Sequence, residues 1–476
     1  MRPVTEFFAR EDDYPDFDLD AAVGRLSRAV QCRTVSPVER EGMDFSEFDR
    51  LHEIIRGGYP HVMERGALEV IEPVIEGRKV PGRSLLITIP GSDPSLQPCL
   101  YMAHQDVVPV VRGTEGDWKY DAFSGAVAEG YIWGRGTLDI KQMVFGILEA
   151  AEYLLARGGR FRRTAFLAFG DDEETMNRGA LAIAETLRDR GAALSFVLDE
   201  GGGNIRTGAD FGAPDICISH IDVMEKGYAD LELSVESEGG HSSRPFGGTS
   251  LEHIARAIAD IAGHPFPARL PSALRGMFEA LAPHITEEPL RTLARDVETN
   301  AEAIAAWCLA RPETFPYVTT TIAPTMIEGG SSACNVMPQN MRAVINFRIG
   351  EGDTAESVMA HCRESAGGGR VRMRFLQSND PSGTARRDGY GYARVVESMG
   401  AFYPGVLFVP SLTVGATDAR RYEMVCDTCL RCSPFMADAE EARRGVHGTD
   451  ERLLVRAYAQ GIRVLIHLME RANVEP

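Results

Sequence analysis

The chain has 476 residues, 44% of them hydrophobic and 25% charged, and a net charge of −19. That length and mixture fit a soluble globular protein of two domains rather than one, and the acidic balance argues against nucleic acid or an anionic membrane as a partner. Residues 1–20 hold seven Asp and Glu and no apolar stretch of a signal peptide, no run is long enough to span a membrane, and the nine cysteines are scattered and odd in number. These features predict a cytoplasmic chain with reduced thiols.

Val23, Leu26 and Val30 recur at helical spacing and predict a helix over 17–32; Phe48, Leu51, Ile54 and Ile55 mark a second. Apolar runs at 85–89 and 99–103, joined by the turn-rich 90–98, read as strands. A glycine-punctuated loop, 113–136, leads to Asp139 and a helix with Met143, Ile147, Ala150 and Leu154 on one face. A strand at 164–169, a helix at 180–190 and a strand at 196–198 complete an alternation that predicts α/β architecture, with a mostly parallel central sheet and helices on both faces. From about 222 the texture changes. Strands at 228–235, 317–323, 341–349 and 371–375, with helices at 250–262 and 354–365, predict a small α+β domain with a one-sided antiparallel sheet. The helical, proline-flanked stretch 266–316 reads as an insertion within it. After about 378 the chain rejoins the first domain through 390–398, 406–409 and a final helix over 450–472. The expected organisation is one domain from 1–221 and 379–476, with 222–378 inserted.

His104 and Asp106 stand two apart where the strand 99–103 ends, so their side chains point the same way. A metal-binding histidine commonly hands its second ring nitrogen to a carboxylate, although a structural His–Asp pair has the same look. Asp139, Asp171-Asp172-Glu173-Glu174 and Asp199-Glu200 follow at later strand ends or the loops after them, where open α/β sheets gather ligands. Asp and Glu are also ordinary turn and cap residues, and Glu173 with Glu174 alone reads equally as a solvated acidic turn. Cys426, Cys429 and Cys432 form the one cysteine cluster, a metal or redox motif that lacks a fourth ligand.

The stretches His104-Gln-Asp106, Gly134-Arg-Gly-Thr-Leu-Asp139-Ile-Lys141, Asp172-Glu173-Glu174, Asp199-Glu200-Gly201, Gly239-Gly-His241-Ser-Ser243, Asn335-Val-Met-Pro338 and His447-Gly448 span nearly the whole chain. In order and spacing they resemble the co-catalytic zinc metallopeptidases that include aminoacylase, carboxypeptidase S, Gly-Xaa carboxypeptidase, acetylornithine deacetylase and succinyl-diaminopimelate desuccinylase. Leu198-Asp-Glu-Gly-Gly202 and the long insertion resemble most the carboxypeptidase S and Gly-Xaa carboxypeptidase branch. The resemblance implies a catalytic domain with an inserted lid and dimerisation domain.

It also implies two Zn²⁺ per chain, with Co²⁺ or Mn²⁺ as substitutes. His104 and Glu200 would hold one ion, Glu174 and His447 the other, with Asp139 bridging; this donor set suits such ions. Asp199 competes with Glu200 for its place. By the same resemblance Asp106 orients His104, Glu173 is the general base on a water shared by the ions, and the Asp139–Ile140 bond is cis. His241 would stabilise the oxyanion, while Asn335, Arg348 and the loop at Gly415 would bind substrate near its carboxylate. Arg348 reads equally, from pattern alone, as a surface strand residue. The family commonly dimerises through its small domain, with the histidine reaching the partner's site; the insertion 266–316 leaves open that His241 acts within its own chain. The expected activity is metal-dependent hydrolysis of the amide bond of an N-acyl amino acid or short peptide with a free carboxylate. The alternatives are a deacylase of the acetylornithine or succinyl-diaminopimelate type and a non-catalytic binding protein on the same scaffold.

Overall fold

Nine strands form the large sheet of the protein, which a computed structural model describes over residues 3–367, 369–437 and 439–474. Its centre is four parallel neighbours: Ala165–Gly170, Cys99–His104, Phe196–Asp199 and Cys429–Arg431. Ser84–Ile89 and Ala67–Ile71 continue it antiparallel on one side. On the other side Ala213–Glu225 joins antiparallel, and itself pairs with Arg206–Gly208 and Val406–Thr413. The sheet is therefore mixed, parallel at its middle. Antiparallel margins arise where no crossover helix intervenes: residues 90–98 are too few to return the chain for a parallel run.

The central strands are buried along their whole length, so they read as unbroken apolar runs. Alternate side chains serve opposite faces. Tyr101, Ala103, Leu167 and Phe169 join the core beneath helices Leu19–Val30, Lys141–Ala156 and Val455–Met469. Leu100, Met102, Phe166 and Ala168 meet Ala180, Ile183 and Leu187 of helix Arg178–Asp189.

The smaller unit is a four-stranded antiparallel sheet in the order Thr321–Gly329, Asn340–Ile349, Gly227–Glu236, Arg372–Asn379. Leu231, Leu233, Ile345 and Phe347 face helices Ser250–Ala262 and Ala355–Ser365 through Ile254, Ile261 and Val358. The insertion corrects the expected partition. From Leu270 on, Leu274, Met277, Phe278, Ile304 and Cys308 belong to the core of the large unit. The small sheet's single apolar face is already covered by its own two helices, so the apolar stripe of Ser272–Leu281 finds its partner elsewhere.

Several boundaries also differ. Ala213–Glu225 carries the large sheet past residue 221, and the small sheet begins at Gly227. Residues 315–318 are a helical turn ahead of the strand Thr321–Gly329, and Arg452–Leu454 is a strand before the last long helix. Among the described residues no helix is long and apolar enough to cross a membrane.

Candidate metal centre and active site

Three adjacent parallel strands deliver the site. His104 is the last residue of its strand, the turn 171–174 follows Gly170, and Glu200 follows Asp199. Strands lie roughly 4.8 Å apart, so their carboxyl ends present these side chains together. Asp139 comes from the loop before Lys141–Ala156, and His447 from the loop after Ala439–Gly445. His104 Nε2 lies 3.1 Å from Asp139 Oδ1 and 3.3 Å from Glu200 Oε1. His447 Nε2 lies 3.0 Å from Asp139 Oδ2 and 3.1 Å from Glu174 Oε2. Two ligand groups result, His104–Asp139–Glu200 and Asp139–Glu174–His447, each with donor atoms within 4.8 Å of one another. They share Asp139, one oxygen to each side.

The neighbouring groups explain how this geometry is held. His104 Nδ1 is 3.0 Å from the Asp106 carbonyl and 3.4 Å from its carboxylate, so the ring proton sits on Nδ1 and Nε2 faces the cluster. The same Asp106 carboxylate accepts the N–H groups of Glu173 and Glu174, each at 3.1 Å, and the Ser36 hydroxyl at 2.5 Å. Asp199 accepts from the Glu200 and Ala419 N–H groups at 2.8 and 2.9 Å. Both its oxygens are thus engaged, which leaves Glu200 as the ligand. The Asp139–Ile140 bond is cis.

Four further residues escaped the sequence reading. Glu451 accepts from Gly136, Leu138 and Asp139 N–H groups at 3.0, 2.8 and 3.3 Å. It pairs with Arg135 at 2.5 Å, and Arg135 donates to the His447 carbonyl at 3.1 Å. This pair ties the Asp139 loop to the His447 loop. Arg40 bridges Asp171 and Asp172 at 2.6 and 3.0 Å and so braces the turn that carries Glu173. Arg135, between two glycines, had a local signal; Ser36, Arg40 and Glu451 had none.

The electrostatics call for cations. Burial pushes the Glu173 carboxyl well above the usual range, with Glu200, Asp418 and Glu174 adding and His104 opposing. Burial and the Asp139 charge hold Glu200 up at about 8. Burial likewise raises Glu174, whose bond to His447 opposes the rise. Hydrogen bonds to Asp139 and Glu174 lift His447 to about 10. Carboxylates crowded into a partly buried site cannot all ionise without a compensating charge. The buried Glu174 Oε1 has no hydrogen-bond partner, a vacant acceptor beside His447. Carboxylate and imidazole donors of this kind fit divalent metal ions.

Other expected residues lie apart from this cluster. His241 is exposed, its Nδ1 2.8 Å from Ser243 Oγ, on a two-residue strand paired with Val336–Met337. Asn335 belongs to the same exposed corner, its carbonyl accepting from Ser242 N–H at 3.0 Å. The Arg348 guanidinium lies over the Tyr228 ring at 4.7 Å, and Gly415 is half-buried in the loop after Val406–Thr413. Among the described residues, no hydrogen bond or ion pair joins these four to the ligand groups. Cys426 and Cys429 pack on one face of the large sheet and Cys432 on the other, so the three thiols do not form a common ligand set.

Fold and cluster together define a two-unit metal-dependent hydrolase. The chain belongs to peptidase family M20/M25/M40, whose model matches residues 100–471. It is 33% identical over 456 residues to the N-fatty-acyl-amino acid synthase/hydrolase PM20D1.1 of Danio rerio, covering 94% of this chain and 84% of that protein. Carboxypeptidase S of Saccharomyces cerevisiae is 31% identical over 353 residues, covering 69% of this chain and 58% of that protein. Among solved structures, human carnosine dipeptidase 1 superposes with a TM-score of 0.66 at 16% identity, covering 97% and 98% of the two chains. The metallo-carboxypeptidase Sso-CP2 of Sulfolobus solfataricus does so with 0.65 at 15%, covering 95% and 99%. These two structural likenesses show the fold.

Proposed function

We propose that this hydrolase cleaves the amide bond of N-acyl amino acids that keep a free carboxylate, with two divalent ions, zinc foremost. The observation that carries the reading is the pair of ligand groups sharing Asp139. His104 and Glu200 would hold one ion and Glu174 and His447 the other. Ions bound there supply Lewis-acid polarisation of the scissile carbonyl and lower the pKa of water. Glu173, 3.9 Å from His104 and outside both ligand groups, takes a proton from the attacking water and returns it to the leaving nitrogen. By the family resemblance, Arg348 and Asn335, with the Gly415 loop, would bind the substrate carboxylate. Relatives named as an N-fatty-acyl-amino acid synthase/hydrolase and a carboxypeptidase support an amide of an amino acid as substrate. The test is a panel of N-acyl amino acids and dipeptides with added Zn²⁺, Co²⁺ or Mn²⁺. Activity should appear with metal and vanish on chelation; full activity in metal-free protein overturns the reading.

We also propose a homodimer formed through the small unit, with His241 serving the partner's site. Support comes from its edge strand Thr321–Gly329, where Met326 and Ile327 are 50% and 56% exposed, and from the fully exposed Phe246 five residues after His241. The opposite edge, Arg372–Asn379, carries Arg372 and Arg374, charges that discourage pairing there.

A further inference from the structure

The turn Cys426-Asp427-Thr428-Cys429 lies outside the metal centre. It joins the helical segment Asp418–Met424 to the strand Cys429–Arg431. Asp427 is exposed at its tip, and both cysteines fold inward, 5% and 4% exposed. With two residues between them, the second thiol returns onto the first. Cys429 Sγ lies 3.7 Å from the Cys426 carbonyl, and its thiol also donates to Cys426 Sγ. The Thr428 N–H donates to the same sulfur at 3.3 Å. Two donors aimed at one sulfur favour its thiolate. These hydrogen bonds, the one from Cys429 foremost, hold Cys426 below the ordinary thiol range, whereas burial pushes Cys308 and Cys362 up to about 12. The same bond to Cys426, together with burial, holds Cys429 well above the range. Cys432 packs on the opposite face of the sheet and does not compete for either sulfur.

We propose that Cys426 and Cys429 are a redox-active dithiol, a modification site for a hydroperoxide at which Cys426 attacks and Cys429 resolves. The Cys426 thiolate attacks one oxygen of the peroxide. The O–O bond breaks, hydroxide leaves and takes up a proton as water, and Cys426 is left as a sulfenic acid. The Cys429 sulfur, giving up its proton, then attacks the Cys426 sulfur. The S–O bond breaks, the S–S bond forms and a second water departs. The two sulfurs lose two electrons and the peroxide gains them, so two thiols and one hydrogen peroxide become one disulfide and two waters. Burial selects the reagent. A molecule of two heavy atoms can reach Cys426 beside the exposed Glu423, Met424 and Asp427, where a bulky organic disulfide would first have to open the turn. Contact selects the outcome. A resolving thiol already against the attacking sulfur captures the sulfenic acid before further oxidation, and the large sheet need not move for the bond to close.

In the experiment, reduced, zinc-loaded full-length protein is exposed to hydrogen peroxide, alkylated under denaturing conditions, digested with trypsin and read by mass spectrometry. The peptide Tyr422–Arg431 carries both cysteines and no third. It should pass from the doubly alkylated form to an unalkylated one, two hydrogens lighter than the dithiol, and a dithiol reductant should return it. Its oxidation should outpace that of the exposed Cys334 at least about tenfold, because the rate follows the thiolate. Cys429→Ser removes the resolving thiol, so Cys426 should then advance to sulfinic acid. Cys426→Ser should leave Cys429 open to alkylation. A wild-type peptide that stays doubly alkylated while Cys334 oxidises, or that oxidises no faster than Cys334, overturns the proposal without recourse to any variant. So does a Cys426 sulfinic acid as the main wild-type product, or a Cys429 that oxidises in Cys426→Ser as fast as the pair does in wild type.

Discussion

Glu173 and Glu174 are neighbours with different duties, and the division follows from geometry. Glu174 Oε2 reaches His447 at 3.1 Å, whereas Glu173 belongs to neither ligand group. Glu173→Gln keeps the shape and removes the base. It should bind both ions while kcat falls about 10²–10⁴-fold, the usual worth of a positioned base; a kcat within tenfold of wild type would remove Glu173 from that role. Glu174→Gln should instead release one ion, which elemental analysis after dialysis would register. Asp106 touches the reaction only through others: it orients His104 and accepts both glutamate N–H groups. Asp106→Asn should therefore weaken metal binding by roughly 10–100-fold, as loss of such a partner does. A metal titration indistinguishable from wild type would make Asp106 a bystander. His104, Asp139, Glu174 and Glu200 could be picked out as candidates because they stand at strand ends or in the loops after them, whereas His447 and the division into two ligand sets came only through the family resemblance. Arg40 and Glu451 could not be picked out, since they brace the site from loops 132 and 316 residues away from their partners, and nothing local marks a brace.

At the scale of elements, strands with an unbroken apolar run or a regular apolar–polar alternation were read, and a strand that buries polar residues was missed. Ala213–Glu225 buries His220, Asp222 and Glu225, which breaks any simple pattern. Their partners come from elsewhere: Thr413 donates to Asp222 at 2.8 Å, and Arg431 pairs with Glu225 at 3.0 Å. A buried strand of this kind is legible only once both halves of each pair are known. The insertion shows a related limit. An amphipathic helix declares that it has an apolar face, not what covers it. Phe278 of Ser272–Leu281 is fully buried in the large core, 6.2 Å from the Phe211 ring. Phe278→Ala should cost about 3–5 kcal/mol of large-unit stability, read from urea unfolding followed by a signal from that unit. A cost below about 1 kcal/mol would mean that the helix is not part of that core.

The whole molecule joins a metal centre in one unit to a histidine on the exposed corner of the other. Because the crowded carboxylates are relieved by cations, metal should stabilise the fold by mass action. Saturating zinc at about 1,000 times its Kd is worth about 4 kcal/mol, so chelation should lower Tm by several degrees and added zinc restore it; an unchanged Tm would detach the cluster from metal. His241 poses the harder question. It is exposed, next to Phe246, and has no tie to the cluster of its own chain among the described residues. A second copy can bring it into place if two small units pair about a two-fold axis, each offering the same edge. Pro324 lies in that edge strand and cannot donate to a ladder, which confines pairing to the Met326–Gly329 half. Ile327→Lys should then yield a monomer with depressed kcat. Complementation tests the sharing itself: inactive His241→Ala is mixed in equal amount with inactive Glu173→Gln under subunit exchange. Half of the dimers are then mixed, and each holds one site with Glu173 from one chain and His241 from the other. Activity should return to about a quarter of wild type. Mixed dimers that form and remain inactive would place His241 outside the partner's site, and a wild-type monomer with full activity would do away with the shared site altogether.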